Sequence, residues 1–254
     1  MKTVVVTGAA KGIGLGITRQ LVEQGDRVVA VDLDAEALDD LRAVVGDQVV
    51  ALVGDIANMK THEAARDAAV AAGGLHGWVN NAGIDWVGAA HEVTAEHVQR
   101  GLEILQIGPM LGGAVAVRHM RRHGGGSIVN ISSIQGVASF PRYYVYGAAK
   151  AALLMATRSI AIDYAHEGIR CNVILPGCIE TPMTYSTLPK NLQREDALEI
   201  EGRLAPMGRV GQPHEIATMV AFLLSDDASY VNGAQIAIDG GATARCFAYP
   251  TLDL

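Results

Sequence analysis

Several features of membrane, secreted and disulfide-bonded proteins are missing from this chain. No uninterrupted run of about 18 apolar residues occurs, so we predict no membrane-spanning helix and no membrane partner. The first residues, MKTVVVTGAA, lack the apolar segment and cleavage site of a secretory signal. The three cysteines, Cys171, Cys178 and Cys246, form neither a CxxC pair nor an even set, which favours free thiols. Together these absences predict a cytoplasmic protein.

Basic residues are outnumbered by acidic ones. The chain has 20 lysines and arginines against 27 aspartates and glutamates, which leaves a formal charge of −7. This balance argues against nucleic acid as a partner, because phosphate backbones bind basic surfaces. The histidines are scattered without the spacing of metal ligands, so we predict no metal site and place them on the surface. A small-molecule partner is expected instead.

Aromatic residues are also scarce, at 5% of the chain, whereas 29 glycines indicate close packing of helices on a sheet. Short apolar runs alternate with stretches of helical spacing. The predicted strands are 3–8, 27–32, 49–55, 75–83, 126–132, 169–177 and 234–241, and the predicted helices include 59–72, 95–121, 147–167 and 213–225. This order predicts one α/β domain over residues 1–254, a doubly wound Rossmann fold with a parallel seven-stranded sheet and helices on both faces.

Residues 178–212 interrupt this alternation. The segment is mostly polar, contains prolines and is too long for an ordinary connection between a strand and a helix. It forms either a lid over a binding site or an irregular excursion. On the first interpretation, Met183, Tyr185, Leu188 and Leu192 give the lid an apolar inner face.

A glycine-rich stretch, TGAAKGIG (7–14), follows the first predicted strand and opens the first predicted helix. Its glycines, Gly8, Gly12 and Gly14, would let the backbone approach a pyrophosphate at a helix N-terminus. Asp32 ends the second strand, where an acid can accept hydrogen bonds from a ribose diol. The alternatives are a glycine turn without a ligand and a helix N-cap role for Asp32.

The acid at position 32 also bears on the choice of cofactor. A carboxylate there would repel the 2′-phosphate of NADP, so we predict NAD. Lys11 favours NADP instead, because a base in the glycine loop could bind that phosphate. Since Asp32 would contact the ribose directly, we expect its effect to be the larger one.

Tyr146 and Lys150 stand four residues apart in YVYGAAKAAL (144–153), a spacing that puts both side chains on one face of a helix. With these residues in place, the chain resembles the short-chain dehydrogenase/reductases over almost its whole length. The motifs that carry the resemblance are TGAAKGIG, GDIA (54–57), NNAG (80–83), Ser133 in ISSIQG, Tyr146 and Lys150 in YGAAK, PGCIET (176–181) and IDGG.

The resemblance implies site residues in three groups. The implied catalytic residues are Ser133, Tyr146 and Lys150. The implied cofactor-binding residues are Gly8, Lys11, Gly12, Ile13, Gly14, Asp32, Leu33, Asp55, Ile56, Asn81, Ala82, Gly83, Tyr146, Lys150, Pro176, Gly177, Ile179 and Thr181. The implied substrate-binding residues are Ser133, Gln135, Tyr143, Trp86, Cys178 and Met183. A homotetramer is also implied.

The tyrosine and lysine have a physical reason to lie together. A free tyrosine has a pKa near 10 and is a poor base at neutral pH. An ammonium about 4 Å away would lower this pKa by up to about three units at an effective dielectric constant near 20. Tyr146 could then exchange a proton with an alcohol as a hydride moves. The alternative is a lysine that merely extends to solvent beside a packed tyrosine.

One position departs from the family pattern. The family often has an asparagine in the helix before the serine-bearing strand, where it anchors a water that leads to the lysine. Gln106 takes this place, followed by Gly108 and Pro109. Either Gln106 joins a proton relay, or solvent reaches Lys150 through a helix break at 108–109. We expect the second.

The sequence therefore predicts an NAD-dependent oxidoreductase that interconverts a neutral secondary alcohol and its ketone. One alternative is an NADPH-dependent ketone or acyl-carrier reductase, which Lys11 favours and Asp32 opposes. Another, of a different class, is a non-catalytic dinucleotide-binding scaffold. Such a scaffold is expected to lose the tyrosine or the lysine, and both are present here.

Overall fold

The computed structural model describes residues 1–186 and 193–245 of the chain. Its strands are β1 (Thr3–Thr7), β2 (Arg27–Asp32), β3 (Val49–Val53), β4 (Gly77–Asn80), β5 (Gly126–Ile131), β6 (Ile169–Pro176) and β7 (Gln235–Ile238). Its α-helices are α1 (Gly12–Glu23), α2 (Ala35–Val45), α3 (Met59–Ala71), α4 (Ala95–Leu102), α5 (Gly108–Met120), α6 (Tyr144–Tyr164), α7 (Pro182–Ser186), α8 (Arg194–Gly202) and α9 (Pro213–Leu224).

The strands form one parallel sheet in the order β3–β2–β1–β4–β5–β6–β7. The predicted doubly wound fold with seven parallel strands is therefore confirmed. The chain moves outward in one direction from β1 to β3 and then crosses back to β4, so the order reverses between β1 and β4. Ligands of such sheets bind outside the carboxyl ends of the strands at this reversal.

Small aliphatic side chains fill the space between the sheet and its helices, as the composition indicates. The strand β1 is buried along its whole length. On one face, α1, α2 and α9 contribute residues such as Ile17, Leu38 and Ile216 to one core. On the other face, α3, α5 and α6 contribute residues such as Ala65 and Val115 to a second core. Helices cover both faces, which explains why the strands are apolar runs without polar alternation.

A chain of buried side-chain hydrogen bonds runs between β4, β5 and α6. Trp78 Nε1 donates to Asn80 Oδ1 (2.8 Å), and Asn80 Nδ2 donates to Asn130 Oδ1 (2.8 Å). Asn130 Nδ2 then donates to Thr157 Oγ1 (2.9 Å), which itself donates to the Leu153 carbonyl (2.7 Å). Because each polar atom in this chain has a partner, the network fixes two neighbouring strands to one helix without an unpaired buried group.

The helix α6 and the turn that follows it form a stretch, Tyr144–Glu167, that is long and apolar enough to cross a membrane by length and composition. The sequence criterion of an uninterrupted apolar run did not identify this stretch. Its inner face is instead buried in the protein, where Val145, Lys150 and Leu153 lie among the core residues. A core helix in a sheet protein meets the same length and hydropathy criteria as a membrane span.

Two expectations about the helices before β5 are wrong: a helix break at 108–109 and a surface position for His62. Residues Glu103–Ile107 form a π-helical turn that joins α4 to α5, and Pro109 lies at the start of α5. A new pattern of α-helical hydrogen bonds begins there, so the missing N–H of the proline costs little. His62, expected on the surface, is buried, and its Nε2 lies 2.7 Å from the Ile56 carbonyl oxygen.

The region 178–212, predicted as a lid or an irregular excursion, contains the helices α7 and α8. Leu188 and Leu192, placed on the inner face of the lid, lie outside the described residues, as does Cys246. Within the described ranges, no group of three or more His, Cys, Asp or Glu side chains is arranged to hold a metal ion.

The buried network predicts a specific loss of stability. Asn130→Ala removes one acceptor and one donor, so that Asn80 Nδ2 and Thr157 Oγ1 each lose a buried partner. We expect the free energy of unfolding to fall by about 2–4 kcal/mol, as measured by urea denaturation. The control is Ser159→Ala on α6, where an exposed hydroxyl bonds the Met155 carbonyl, and it should change stability by less than about 0.5 kcal/mol. Equal effects of the two substitutions would contradict a structural role for the network.

Candidate active site

A cavity of about 690 Å³ lies at the carboxyl ends of the strands, across the reversal of strand order. Residues that follow β1, β2, β4, β5 and β6 line it. Every site residue predicted from the sequence lines this cavity except Gly14, Trp86 and Gln106. The cavity has two ends. We call them the glycine-loop end, with Gly8, Gly12 and Asp32, and the tyrosine end, with Tyr143 and Tyr146.

The turn between β1 and α1 needs its glycines for two different reasons. Gly8 and Gly12 have φ angles of 62° and 54°, in the left-handed region that glycine tolerates best. Gly14 has no space for a side chain, because a Cβ there would lie 1.9 Å from the carbonyl oxygen of Gly8. Gly14 therefore acts through packing rather than as part of the cavity wall. The result is a tight turn with the N-terminus of α1 at the cavity.

Polar contacts fix this turn to neighbouring loops. Asn81 Nδ2 donates to the carbonyl oxygens of Thr7 and Gly8, both at 3.0 Å. The backbone amides of Asn81 and Ala82 donate to the Thr7 hydroxyl. On the opposite side, a Cβ on Gly12 would lie 3.1 Å from Thr181 Cβ, so the segment after β6 also packs against the glycine loop.

Asp32 ends β2 with its carboxylate directed at the glycine loop. Its Oδ2 accepts from the backbone amide of Ala10 (3.0 Å), and its Oδ1 accepts from that of Asp34 (3.2 Å). The N-cap of α2 is Asp34, whose side chain accepts from the amide of Ala37. The alternative role of Asp32 as the helix cap is therefore wrong, and its carboxylate lines the cavity.

Lys11 is paired with an acid beside the same end of the cavity. Its Nζ lies 2.5 Å from Asp34 Oδ2, and this contact raises the pKa of Lys11 and lowers that of Asp34. The next acid along the edge, Asp55, accepts from the amide of Ala57 (2.9 Å) and from Arg100 Nη2 (3.2 Å). The carboxylates at this end are thus held in place by backbone amides and paired cations.

Ser133, Tyr146 and Lys150 meet near the middle of the cavity. Ser133 follows β5 and is buried, and its hydroxyl is hydrogen-bonded to that of Tyr146 in the first turn of α6. Lys150, one turn further along α6, donates from Nζ to the Ile131 carbonyl at the end of β5 (3.1 Å). Its Nζ lies 5.6 Å from the centroid of the Tyr146 ring. The pair shares one helix face, as its spacing predicts.

Burial shifts the pKa values of both groups against their charged forms. It raises the pKa of Tyr146 to about 12, although the hydrogen bond from Ser133 opposes this shift. It lowers the pKa of Lys150 to about 8. The expected lowering of the tyrosine pKa is therefore wrong for the protein chain by itself, because desolvation of the phenolate dominates and the charge of Asp85 adds to it. At neutral pH Tyr146 holds its proton and Lys150 remains largely charged.

Gln106 and Trp86 lie away from the cavity. Gln106 belongs to the π-helical turn, is half-buried, and forms no side-chain hydrogen bond within the described residues. The helix break expected at 108–109 is absent, because Gly108 and Pro109 are both buried in α5. The indole of Trp86, predicted in the substrate pocket, stacks on His97 and donates to its carbonyl (3.0 Å), so it packs against α4.

The tyrosine end contains acids that the sequence reasoning missed. Tyr143 OH donates to Asp85 Oδ2 at 3.4 Å, and the rings of Tyr143 and Tyr146 meet edge to face with centroids 5.6 Å apart. The thiol of Cys178 is hydrogen-bonded to Glu201 of α8, and burial first, then the charge of Glu201, raises the pKa of that thiol to about 12. Asp85 lies two residues beyond the NNAG motif, a signal that could have indicated it, whereas Glu201 carries no local signal.

The lid contributes less to the cavity than predicted. Met183 lines it, but Tyr185 does not. The Tyr185 hydroxyl donates to Glu180 Oε1 (2.9 Å) and accepts from Arg194 Nε (2.9 Å). Gln212 and Arg194 also bond Glu180 and, with Tyr185, lower the pKa of that carboxyl to about 2. Tyr185 therefore belongs to a polar cluster that ties α7 to α8, not to an apolar inner face.

Comparison with known proteins gives concordant matches along the chain. A family model described as "Enoyl-(Acyl carrier protein) reductase" matches residues 8–243. The 2-(R)-hydroxypropyl-CoM dehydrogenase of Xanthobacter autotrophicus is 37% identical, over 96% of this chain and 99% of that protein. The 3beta-hydroxysteroid dehydrogenase 1 of Eggerthella lenta is 36% identical, over 95% and 94%. The cis-4-hydroxycyclohexanecarboxylate dehydrogenase of Sinomonas cyclohexanicum is 40% identical, over 96% and 97%.

These matches extend across both ends of the cavity, from the glycine loop to the strand β7 and the turn beyond it. They confirm the resemblance that the motifs indicated. Members of this group are oxidoreductases that use a nicotinamide dinucleotide. The chain belongs to the short-chain dehydrogenase/reductase family.

Proposed function

We propose that this protein is an NAD-dependent dehydrogenase that interconverts a secondary alcohol and its ketone. The observation that carries the proposal is the arrangement of Ser133, Tyr146 and Lys150 within the cavity that the glycine loop opens into. A proton donor, an oxygen-binding hydroxyl and a buried cation are the groups that such a reaction needs beside a hydride carrier. The names of the relatives support an alcohol as substrate, since two of these proteins are named for a hydroxylated ring compound.

The cavity residues fit a nicotinamide dinucleotide. At the glycine-loop end, Gly8 and Gly12 leave open backbone at the N-terminus of α1, which suits a pyrophosphate. Asp32 has acceptor capacity beyond its two amide contacts, which suits a ribose diol. Lys150 has three N–H donors and uses one on Ile131, so the remaining donors suit the second ribose.

The charges at the glycine-loop end support NAD over NADP. Asp32 lines the glycine-loop end, where the 2′-phosphate of NADP would lie on this proposal. Lys11, the group that favoured NADP, is already paired with Asp34. A phosphate would therefore meet the repulsion of Asp32 without the full attraction of Lys11. The NADPH-dependent reductase thus remains the weaker alternative.

The proposed chemistry follows from the protonation states of the chain. When bound, the nicotinamide ring accepts a hydride in oxidation and donates one in reduction. In reduction, Tyr146 gives its hydroxyl proton to the substrate oxygen, and Ser133 holds that oxygen by a hydrogen bond. In oxidation, Tyr146 first loses its own proton to solvent and then, as the phenolate, takes the alcohol proton. The Lys150 ammonium, which has a pKa of about 8, stabilises the phenolate that forms whenever Tyr146 has given up its proton.

The other interpretation, a scaffold that binds a dinucleotide without turnover, is opposed by the complete set of reactive groups. A hydroxyl pair between Ser133 and Tyr146 beside a buried ammonium has no evident value for binding alone. We further propose a cytoplasmic homotetramer. Exposed apolar side chains on α5 and α6, including Met110, Met155 and Ile162, support a subunit contact through these helices.

The cofactor proposal predicts that NAD binds more tightly than NADP and that Asp32→Ser narrows the difference at least about tenfold, or 1.4 kcal/mol. The reason is that serine keeps a hydrogen-bonding group but removes the charge. Dissociation constants are measured by calorimetry for NAD and NADP. The control is Asp39→Ser, which makes the same charge change at an exposed position of α2 and should leave the ratio unchanged. Wild-type protein that binds NADP as tightly as NAD would contradict the assignment of Asp32.

The chemical proposal predicts that Tyr146→Phe lowers kcat by about 10²–10⁴, the usual loss when a general acid or base is removed. NAD affinity should change less than about threefold. The matched control is Tyr144→Phe, which removes an exposed hydroxyl two residues earlier on α6 and should retain wild-type kcat. Turnover is followed at the absorbance of the reduced nicotinamide. A Tyr146→Phe enzyme with wild-type kcat would rule out the proposed proton transfer.

Gln106→Ala should lower kcat by less than about tenfold, or 1.4 kcal/mol. The effect should be small because Gln106 neither lines the cavity nor bonds Lys150. Solvent entry through a break in the helix is not the reason, because residues 108–109 are buried in α5. Steady-state oxidation of the best alcohol at saturating NAD provides the measurement. The control is Gln99→Ala, an exposed amide on α4. A hundredfold loss specific to Gln106, with NAD affinity intact, would show instead that this amide takes part in the proton relay.

A further inference from the structure

The segment before α6 contains a backbone conformation that a side chain disfavours. Arg142 has a φ angle of 69°, and no other non-glycine residue in the described part of the chain has a positive φ angle. In this left-handed region a Cβ crowds the backbone, so glycine is the usual occupant. Such a conformation persists only where surrounding contacts hold it, and it is frequent beside functional sites. The contacts of Arg142 therefore indicate what its conformation achieves.

Arg142 is held by the loop 86–92, which follows β4. The amide of Gly88 donates to the Arg142 carbonyl (2.6 Å), and the amide of Tyr144 donates to the Gly88 carbonyl (3.3 Å). Gly88 is buried, so water does not compete easily for these two bonds. Arg142 Nη1 also donates to Glu92 Oε1 (2.9 Å), but this ion pair is exposed and of the kind that contributes little to stability. The backbone pair with Gly88 is therefore the main contact.

Trp86 anchors the same loop on its other side. Its indole Nε1 donates to the His97 carbonyl on α4 (3.0 Å), and its ring stacks on the His97 ring with centroids 4.7 Å apart. Gly101 makes room for this contact, because a Cβ there would lie 2.6 Å from Trp86 Nε1. A Cβ on Gly88 would lie 2.9 Å from the His97 ring. The loop is thus packed tightly against α4, and Trp86 fixes the position from which Gly88 bonds Arg142.

The residue after Arg142 is Tyr143, which lines the tyrosine end of the cavity. The Tyr143 ring meets the Tyr146 ring edge to face, with centroids 5.6 Å apart, and its hydroxyl donates to Asp85 Oδ2 (3.4 Å). Tyr143 is also the N-cap residue of α6. A change of φ at Arg142 would therefore redirect the Tyr143 ring relative to that helix and to Tyr146.

We propose that Arg142 is a positioning residue for substrate binding. Its left-handed backbone, held by Gly88, keeps the Tyr143 ring beside Tyr146 as one wall of the site where the alcohol binds. The inference rests on the proposed dehydrogenase function and adds to it residues outside the cavity, since neither Arg142 nor Gly88 lines it. The glycine-loop end is formed by other segments, so the effect is on the substrate and not on the dinucleotide.

A series of substitutions at position 142 tests the proposal. Arg142→Gly, Arg142→Ala and Arg142→Val all remove the ion pair, but tolerance of a positive φ falls from glycine to alanine to valine. The fraction of molecules with Tyr143 in place should fall in the same order, and the apparent affinity for substrate falls with that fraction. We expect KM for the best alcohol to be at least about tenfold higher for Arg142→Val than for Arg142→Gly. If the valine variant does not fold, the alanine and glycine variants should still differ at least about threefold.

Two further measurements separate positioning from a general loss of structure. At saturating alcohol, kcat should change less than about threefold across the series, because bound substrate selects the ordered conformer. NAD affinity, measured by calorimetry, should also change less than about threefold. The control pair is Arg42→Gly and Arg42→Val, at an exposed arginine of α2 outside the cavity. In a helix valine is tolerated better than glycine, so this pair should not show the order expected at position 142.

The outcomes distinguish the two proposals. A KM that rises from glycine to valine at position 142 alone, with kcat and NAD affinity retained, would support the positioning role. Equal KM values for Arg142→Gly and Arg142→Val, or a parallel loss of kcat and NAD affinity, would overturn that role and leave the dehydrogenase function standing. If no secondary alcohol or ketone reacts with the wild-type protein and either cofactor, while NAD still binds, the dehydrogenase function itself is overturned and the positioning role with it.

Discussion

The burial of the Lys150 ammonium is the constraint on which the candidate active site depends. Within the described residues its one acceptor is the Ile131 carbonyl, and burial alone lowers its pKa to about 8. A charge in this position is tolerated only if strand and helix stay firmly together. A second bond secures them, because the Ser132 hydroxyl donates to the backbone carbonyl of Lys150 (2.8 Å). The first turn of α6, with Tyr146, is thereby held against Ser133. The positions of Ser133, Tyr146 and Lys150 thus follow from the way β5 and the residues after it are bonded to α6.

A polar network inside the otherwise apolar interior also holds β5 and α6 together. Asn80 and Asn130 occupy paired positions on β4 and β5 and bond each other, and Asn130 continues to Thr157 on α6. The same strands end at the cavity, where Asn81 bonds the glycine turn and Ser133 bonds Tyr146. Because the network leaves no buried donor or acceptor unpaired, it favours one register of strands and helix. Both ends of the cavity are consequently fixed to the same two strands.

Carboxylates serve different purposes at the two ends of the cavity. At the glycine-loop end, Asp32 is oriented by two backbone amides, and Asp34 both caps α2 and neutralises Lys11. At the tyrosine end, Asp85 and Glu201 bond weakly acidic groups, a phenol and a thiol, whose pKa values they help to raise. The first arrangement suits recognition of uncharged ribose hydroxyls. The second keeps the phenol of Tyr143 and the thiol of Cys178 in their protonated forms.

The sequence by itself determined the features that depend on local spacing. These include the order of strands and helices, the glycine turn, Asp32 at the end of β2, and the shared face of Tyr146 and Lys150. Each follows from backbone periodicity or from motifs a few residues long. Only the tertiary structure decided that the indole of Trp86 packs against α4 and not into the cavity. It also decided that Pro109 follows a π-helical turn and that Glu201 bonds Cys178. It also decided the pKa of Tyr146, because desolvation and charge depend on everything packed around a group, and that environment is assembled from segments far apart in the chain.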